Sequence, residues 1–184
     1  MLNIVHPIQV PNKIDSHPTN VAIHMVFVPA IYATALVLLG LLAPIPIASN
    51  VPVLHLSDLF AATYAIGYIL LEPVAGTLIL PFHIACAYYA RYLPTQFPSD
   101  KIAIFAGILQ VIAWVAQFLG HGLAEKRAPA LLDNLFQALY LAPLFVWLEI
   151  LFSFGYRPEL KRNIEKEVEA DKLARAAKAG KKKE

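Results

Sequence analysis

From Ile102 to Leu119 the chain runs without a charged residue or a proline. About twenty such residues cross the hydrocarbon core of a bilayer as one helix. An uncharged run of that length is either the central helix of a large soluble core or a membrane span. Composition decides between them. The protein has 184 residues, 58% of them hydrophobic and only 15% charged, with a mean hydropathy of +0.58. A soluble domain is nearer half apolar and a quarter charged. A chain this short has no large core in which to hide the excess.

The remaining apolar residues are gathered in similar blocks. These run from Val21 to Leu42, Leu56 to Leu71, Val74 to about Leu93, and Leu135 to Phe154. The pattern predicts an all-α integral membrane bundle of four to five hydrophobic helices. Proline and polar stretches divide the blocks. Pro44 and Pro46 end the first, so Ala43 to Ser57 reads as a loop, and Glu72-Pro73 ends the second. Pro94 to Asp100 reads as a turn-rich connection, and Gly120 to Asn134 as a polar insert. Pro29, Pro81 and Pro143 lie inside apolar blocks. Proline removes a backbone donor and kinks a helix. In lipid the carbonyl it frees needs a protein neighbour. Bent, closely packed helices are therefore expected. No internal repeat is present. The chain divides into an N-terminal arm (1–16), a membrane-embedded unit (17–156) and a charged tail (157–184).

Topology adds a constraint. If the first four blocks each cross, the arm before Val21 and the insert after Leu119 lie on the same side. Ten of the fifteen Lys and Arg residues follow Arg157 inclusive. If the fifth block spans, this basic tail lies opposite the insert. If that block, broken at Pro143, dips in and returns, thirteen basic residues share one face, leaving Arg91 and Lys101 on the other. The re-entrant arrangement is the favoured one, and the positive-inside rule then makes the histidine face cytosolic. Lys181-Lys182-Lys183-Glu184 fits a dilysine retention address, which points to the endoplasmic reticulum. No cleavable signal peptide is evident between Met1 and Asp15. Nothing suggests a nucleic-acid partner, and membrane lipids are the expected surroundings.

Two polar clusters stand out. The first is His17-Pro18-Thr19-Asn20 with His24. Proline favours the first helical position, so a helix should start at Pro18 with His17 just outside it. His24 then lies about 10 Å further along the axis. The two imidazoles share a metal only if His17 folds back. The second cluster is Gly120-His121-Gly122-Leu123-Ala124-Glu125-Lys126-Arg127, continuing through Pro129 to Asp133-Asn134. His121 and Glu125 are four apart, which on an α-helix places them on one face. Lys126 and Arg127 supply cations suited to a carboxylate or a phosphate. They also read as an ordinary charged anchor at the membrane edge. The simple reading of His6, His55 and His83 is an interfacial or hydrogen-bonded side chain. His83 is the exception to watch, because it sits inside an apolar block. Glu72 reads as a helix-end residue, and Glu149 as a buried partner for a histidine or for Arg157. The single cysteine, Cys86, reads as a small buried hydrophobe and rules out an internal disulfide.

In this order and spacing, the two clusters resemble the 2-hydroxy fatty acid dioxygenase family, known from fungal endoplasmic-reticulum enzymes of phytosphingosine breakdown. The resemblance covers about Ser16 to Tyr156. It implies an Fe(II)-dependent oxidoreductase that uses O2 to shorten a 2-hydroxy fatty acid by one carbon and releases CO2, an α-oxidation step of fatty acid and sphingolipid metabolism. Carried over by position, His17, His24 and His121 are the implied iron ligands. Glu125 is the implied catalytic carboxylate, either binding iron or orienting a histidine. Lys126 or Arg127, with Asn20, is expected at the substrate head, and the acyl chain between the helices. Two rivals remain to be weighed. Di-iron lipid hydroxylases need repeated HxxxH and HxxHH clusters, which six histidines in this arrangement do not supply. A non-catalytic membrane scaffold or lipid-binding protein would use the same polar residues merely to cap helices. Chain-length preference and oligomeric state are not encoded in any motif.

Overall fold

The computed structural model describes residues 17–42, 45, 54–125 and 135–180, with side chains at 123–125, 135–138, 167–168, 171–172 and 174–180 excepted. The described residues are almost entirely helical, apart from turns and one isolated antiparallel bridge between Ile45 and Leu54. Six α-helices follow in order: α1 (Pro18–Gly40), α2 (Leu56–Leu71), α3 (Pro73–Gln96), α4 (Ser99–Leu119), α5 (Leu135–Ser153) and α6 (Pro158–Gly180). A π-helical turn, Gly120–Glu125, extends α4. Three helical segments are long and apolar enough to cross a membrane: Pro18–Gly40, Pro73–Gln96 and Ser99–Gly122. α2, with 16 residues, is shorter. Large apolar side chains such as Val26, Leu70, Phe105 and Val111 point outward, more than half exposed. An outward apolar surface of that extent suits lipid rather than water.

Side-chain contacts fix the relative directions. Asn20 of α1 meets His121 beyond α4, and Ile31 meets Gln110 further down, so α1 and α4 are antiparallel. Tyr32 and Gly40 of α1 meet His83 and Ala90 of α3 in that order, so these two run parallel. Asp58 at the start of α2 pairs with Arg91 near the end of α3, and Gly76 near the start of α3 packs on Tyr68, so α2 is antiparallel to both. The start of α1, the end of α2, the start of α3 and the end of α4 therefore share one end of the bundle. As expected from the sequence, the first and second polar clusters meet there.

α5 returns to that same end. Arg157, just past α5, forms an ion pair with Glu72 at the α2–α3 junction, and Tyr156 donates to the other oxygen of Glu72 at 3.4 Å. The chain turns sharply here. Leu139–Ser153 and Pro158–Lys166 are bent by 117°. Gly155 has φ +83° and Arg157 φ +42°, left-handed values that suit glycine and are tolerated at Arg157 where the ion pair holds it. α5 thus ends where α1 begins, but it runs as one helix through Pro143 and is not broken there, contrary to the expected dip and return at that proline.

Two further expectations need correction. Pro94 to Asp100 is not an open connection, because α3 continues through Pro94 to Gln96 and only Phe97 and Pro98 separate it from α4. A proline in the last turn removes one hydrogen bond without ending the helix, because few bonds remain downstream. Glu149 is not a buried partner of Arg157 or of a histidine. Its side chain is exposed, and Arg157 takes Glu72 instead.

Two of the carbonyls that prolines free have neighbours from other helices. Pro143 cannot donate to Leu139, and the Tyr64 hydroxyl donates to that carbonyl at 3.4 Å. Pro94 cannot donate to Ala90, and Gly40 brings the α1 backbone against that oxygen. A Cβ at Gly40 would lie 2.5 Å from it. The core between α1, α2, α3 and α5 is aromatic: Tyr32, Tyr64 and Tyr68 pack on His83, which bonds to Tyr32 at 2.7 Å, and Tyr140 packs on Tyr64 and Tyr68. His83 is thus a buried, hydrogen-bonded histidine. Cys86 is half-buried and packs on this core.

Candidate active site

The site is built at the shared end, where α1 begins and α4 passes into the π-helical turn. His17 is the N-cap of α1, and its Nδ1 accepts the Thr19 N–H at 3.3 Å. Pro18 stands first in the helix, as the sequence predicts. One turn in, Asn20 is fully buried. Another turn on, His24 directs Nδ1 at the Asn20 carbonyl, 2.9 Å away. A carbonyl only accepts, so the Nδ1 of His24 carries the proton and its Nε2 keeps a lone pair. This is the arrangement that ligating histidines use to fix their tautomer.

His121 faces His24 from the opposite element. The rings stand edge to face with centroids 4.9 Å apart. His121 is buried, 6% exposed. The Asn20 amide lies beside it, Nδ2 to Nδ1 at 3.5 Å, while Asn20 Oδ1 has no hydrogen-bond partner among the described residues. Turning the amide over pairs that oxygen with an Nδ1–H of His121. His121 then also presents Nε2. The close approach depends on Gly120, where a Cβ would lie 2.3 Å from Asn20 Oδ1.

The 120–125 segment is π-helical rather than α-helical, which revises the sequence argument about His121 and Glu125. Its hydrogen bonds close from i to i+5, so the α-helical rule for residues four apart does not apply as written. π-turns of this kind are common at functional sites. The side chain of Glu125, and all of Lys126 and Arg127, lie outside the described residues.

The structure therefore brings Asn20, His24 and His121 together and leaves His17 at the helix cap. Among the described residues, no three His, Cys, Asp or Glu side chains gather closely enough to hold a metal ion. The two imidazoles nevertheless suit one. Metal–nitrogen bonds of about 2 Å require rings this close, and the tautomer of His24 leaves the ligating nitrogen unprotonated. Two histidines are also the imidazole part of the 2-His-1-carboxylate set of non-haem iron sites.

A cavity of about 220 Å³ adjoins the pair. His24 and Gln117 line it, and so do Val28, Tyr32, Trp114, Ala35 and Phe60, with Leu139 and Pro143 of α5. From His24 to Ala35 the helix rises about 16 Å at 1.5 Å per residue. The lining is mostly apolar, with His24 and Gln117 toward one end and Gln110, Tyr32 and Tyr64 further along, as small-molecule sites commonly are. The sequence motifs do not single out Gln117. The signal for it is an amide in an uncharged span, one of two with Gln110, standing four residues before His121.

Three comparisons bear on this site. The sequence matches the family described as Mpo1-like, 2-hydroxy-palmitic acid dioxygenase Mpo1-like, over residues 13–154. It is 37% identical over 153 residues to the 2-hydroxy-palmitic acid dioxygenase MPO1 of Saccharomyces cerevisiae, covering 83% of this chain and 82% of the yeast protein. No solved structure matches. His17, Asn20, His24 and His121 all fall inside the matched span, so the residues that pointed to the family lie where the family similarity lies, and the chain belongs to the Mpo1-like family.

Proposed function

We propose that this protein is a membrane-embedded, Fe(II)-dependent dioxygenase that converts 2-hydroxy fatty acids into fatty acids one carbon shorter with release of CO2. The observation that carries the reading is the His24–His121 pair beside an apolar cavity in a member of this family. The stoichiometry is self-contained. A 2-hydroxy acid and O2 give the shortened acid, CO2 and water. The substrate supplies all four electrons that O2 takes up, so no separate reductant is needed.

His24 and His121 would hold the iron through Nε2. His17 or Glu125 would complete the set, the first by folding back from the cap and the second from within the π-helical turn. Iron held there would supply the redox centre at which O2 and the 2-hydroxy acid react. The chain's own residues do the rest. Asn20 orients both histidines, one through its carbonyl and the other through its amide. Lys126 or Arg127 pairs with the substrate carboxylate at the membrane edge. The cavity between α1, α2, α4 and α5 takes the acyl chain and keeps water from it.

The same reading places the protein in the endoplasmic-reticulum membrane with the histidine end in the cytosol. Return of α5 to that end supports it, because thirteen basic residues then belong to one side. The role in phytosphingosine catabolism follows from the substrate class.

The test uses membranes supplied with Fe(II) and 2-hydroxypalmitate. The wild-type protein should produce pentadecanoate and CO2, lose the activity to a chelator and regain it with Fe(II). His121→Ala should produce neither. Wild-type activity in that variant would sink the metal assignment. Metal-free protein that binds lipid but turns nothing over would favour the scaffold.

A further inference from the structure

Gln117 is the least satisfied polar side chain beside the cavity. It is 3% exposed and lines the cavity together with His24. Among the described residues, neither its amide nitrogen nor its amide oxygen has a hydrogen-bond partner. A buried amide with both ends unpaired is costly, and more so where lipid rather than water surrounds the helix. Buried polar groups in native proteins are almost always paired, and an exception calls for a missing partner. α4 could have carried a leucine here at no such cost. A ligand that enters the cavity and offers one acceptor and one donor would satisfy both ends of the amide.

We propose that Gln117 reads the head of the substrate and is the residue that distinguishes a 2-hydroxy acid from an unsubstituted fatty acid. The amide nitrogen donates to a carboxylate oxygen, and the amide oxygen accepts the proton of the 2-hydroxyl group. The proposal rests on the dioxygenase reading above and adds a selectivity element to it. The physical basis is asymmetric. An unsubstituted acid also fills the apolar cavity, but it leaves the buried amide oxygen unpaired. A site built to bond a hydroxyl rejects the analogue that lacks one more strongly than an apolar pocket rejects a change in chain length.

The experiment measures equilibrium binding of labelled 2-hydroxypalmitate and palmitate to the full-length protein in lipid nanodiscs with Fe(II), under nitrogen so that nothing turns over. The wild-type protein should prefer 2-hydroxypalmitate. Gln117→Leu should lose about tenfold to a hundredfold in affinity for 2-hydroxypalmitate, the range expected for one buried polar group left without its bond, and lose clearly less for palmitate, which forfeits only the bond to its carboxylate. The unliganded variant should unfold at or above the wild-type temperature, because the orphaned amide is gone. Should Gln117→Leu fail to fold, Gln117→Met keeps the side-chain length and carries the same comparison. A variant that retains the wild-type preference overturns the assignment of Gln117 and leaves the dioxygenase reading standing. So does a variant that loses both acids equally with a lowered unfolding temperature, since that marks a structural role. A wild-type protein that binds neither acid overturns both.

Discussion

Arg157 and Arg91 each pair with a carboxylate, at opposite ends of the bundle, and the two pairs differ in every respect that matters. Glu72, partner of Arg157, is 2% exposed and accepts from Tyr156 as well. Asp58 meets Arg91 at 3.4 Å with the arginine side chain 48% exposed. The end with the buried pair also holds buried Asn20, Gln117 and His121. At the far end, Gly40 lies directly against the Ala90 carbonyl. The near end gathers the larger buried polar side chains, whereas at the far end buried Ser57 and the Gly40 backbone contact stand beside an exposed ion pair. Close approach of small residues is the ordinary way to join helices in lipid. Buried polar groups there mark function more often than stability.

Substitutions at the two ends should separate these roles. The largest effect is expected at His24. His24→Ala should lower turnover of 2-hydroxypalmitate by about a thousandfold, equivalent to about 4 kcal/mol of transition-state stabilisation, while leaving the unfolding temperature close to wild type. Next is Glu72→Ala, which takes away the buried carboxylate that Arg157 and Tyr156 share, while the Arg157 side chain, 39% exposed, turns to solvent. Losing hydrogen bonds to a charged group costs about 1.5–3 kcal/mol, visible in thermal unfolding in detergent micelles. Gly120→Ala comes third. It drives a methyl into Asn20, an overpacking that costs about 1–3 kcal/mol, and activity should fall with stability. Gly122→Ala is its control, because among the described residues nothing lies within 4 Å of a Cβ there. Asn20→Ala removes the side-chain amide beside His121, keeps the backbone carbonyl that His24 bonds, and should weaken Fe(II) binding by about 10–100-fold in a competition titration. The smallest effect belongs to the far end. Asp58→Ala should cost under about 1 kcal/mol, as solvent-accessible pairs do. A larger loss at Asp58 than at Glu72 would reverse the comparison.

Much of this was legible from periodicity and proline placement. The bounds of α2, the start of α1 at Pro18 and the meeting of the two polar clusters follow from residue order alone. What escaped has identifiable causes. α3 runs through Pro94 because a proline near a helix end costs little, so the residue type misleads about the boundary. The π-helical turn leaves no sequence mark, since its hydrogen bonds differ from those of an α-helix by one residue. The partner of Arg157 lies 85 positions away at Glu72, and only the packing of α5 on α3 selects it over nearby Glu149. Gln117 carries no motif, and its unpaired amide is visible only once the neighbours are in place.

The return of α5 to the end where α1 begins has a consequence for how the protein is made. α1 with α2, and α3 with α4, each form a hairpin that goes in and comes back, so nothing beyond those hairpins has to be carried across the bilayer. α5 and the basic tail can then settle onto a finished frame from the side on which α1 begins. A reporter domain fused before His17 and one fused after α6 should be found in the same compartment.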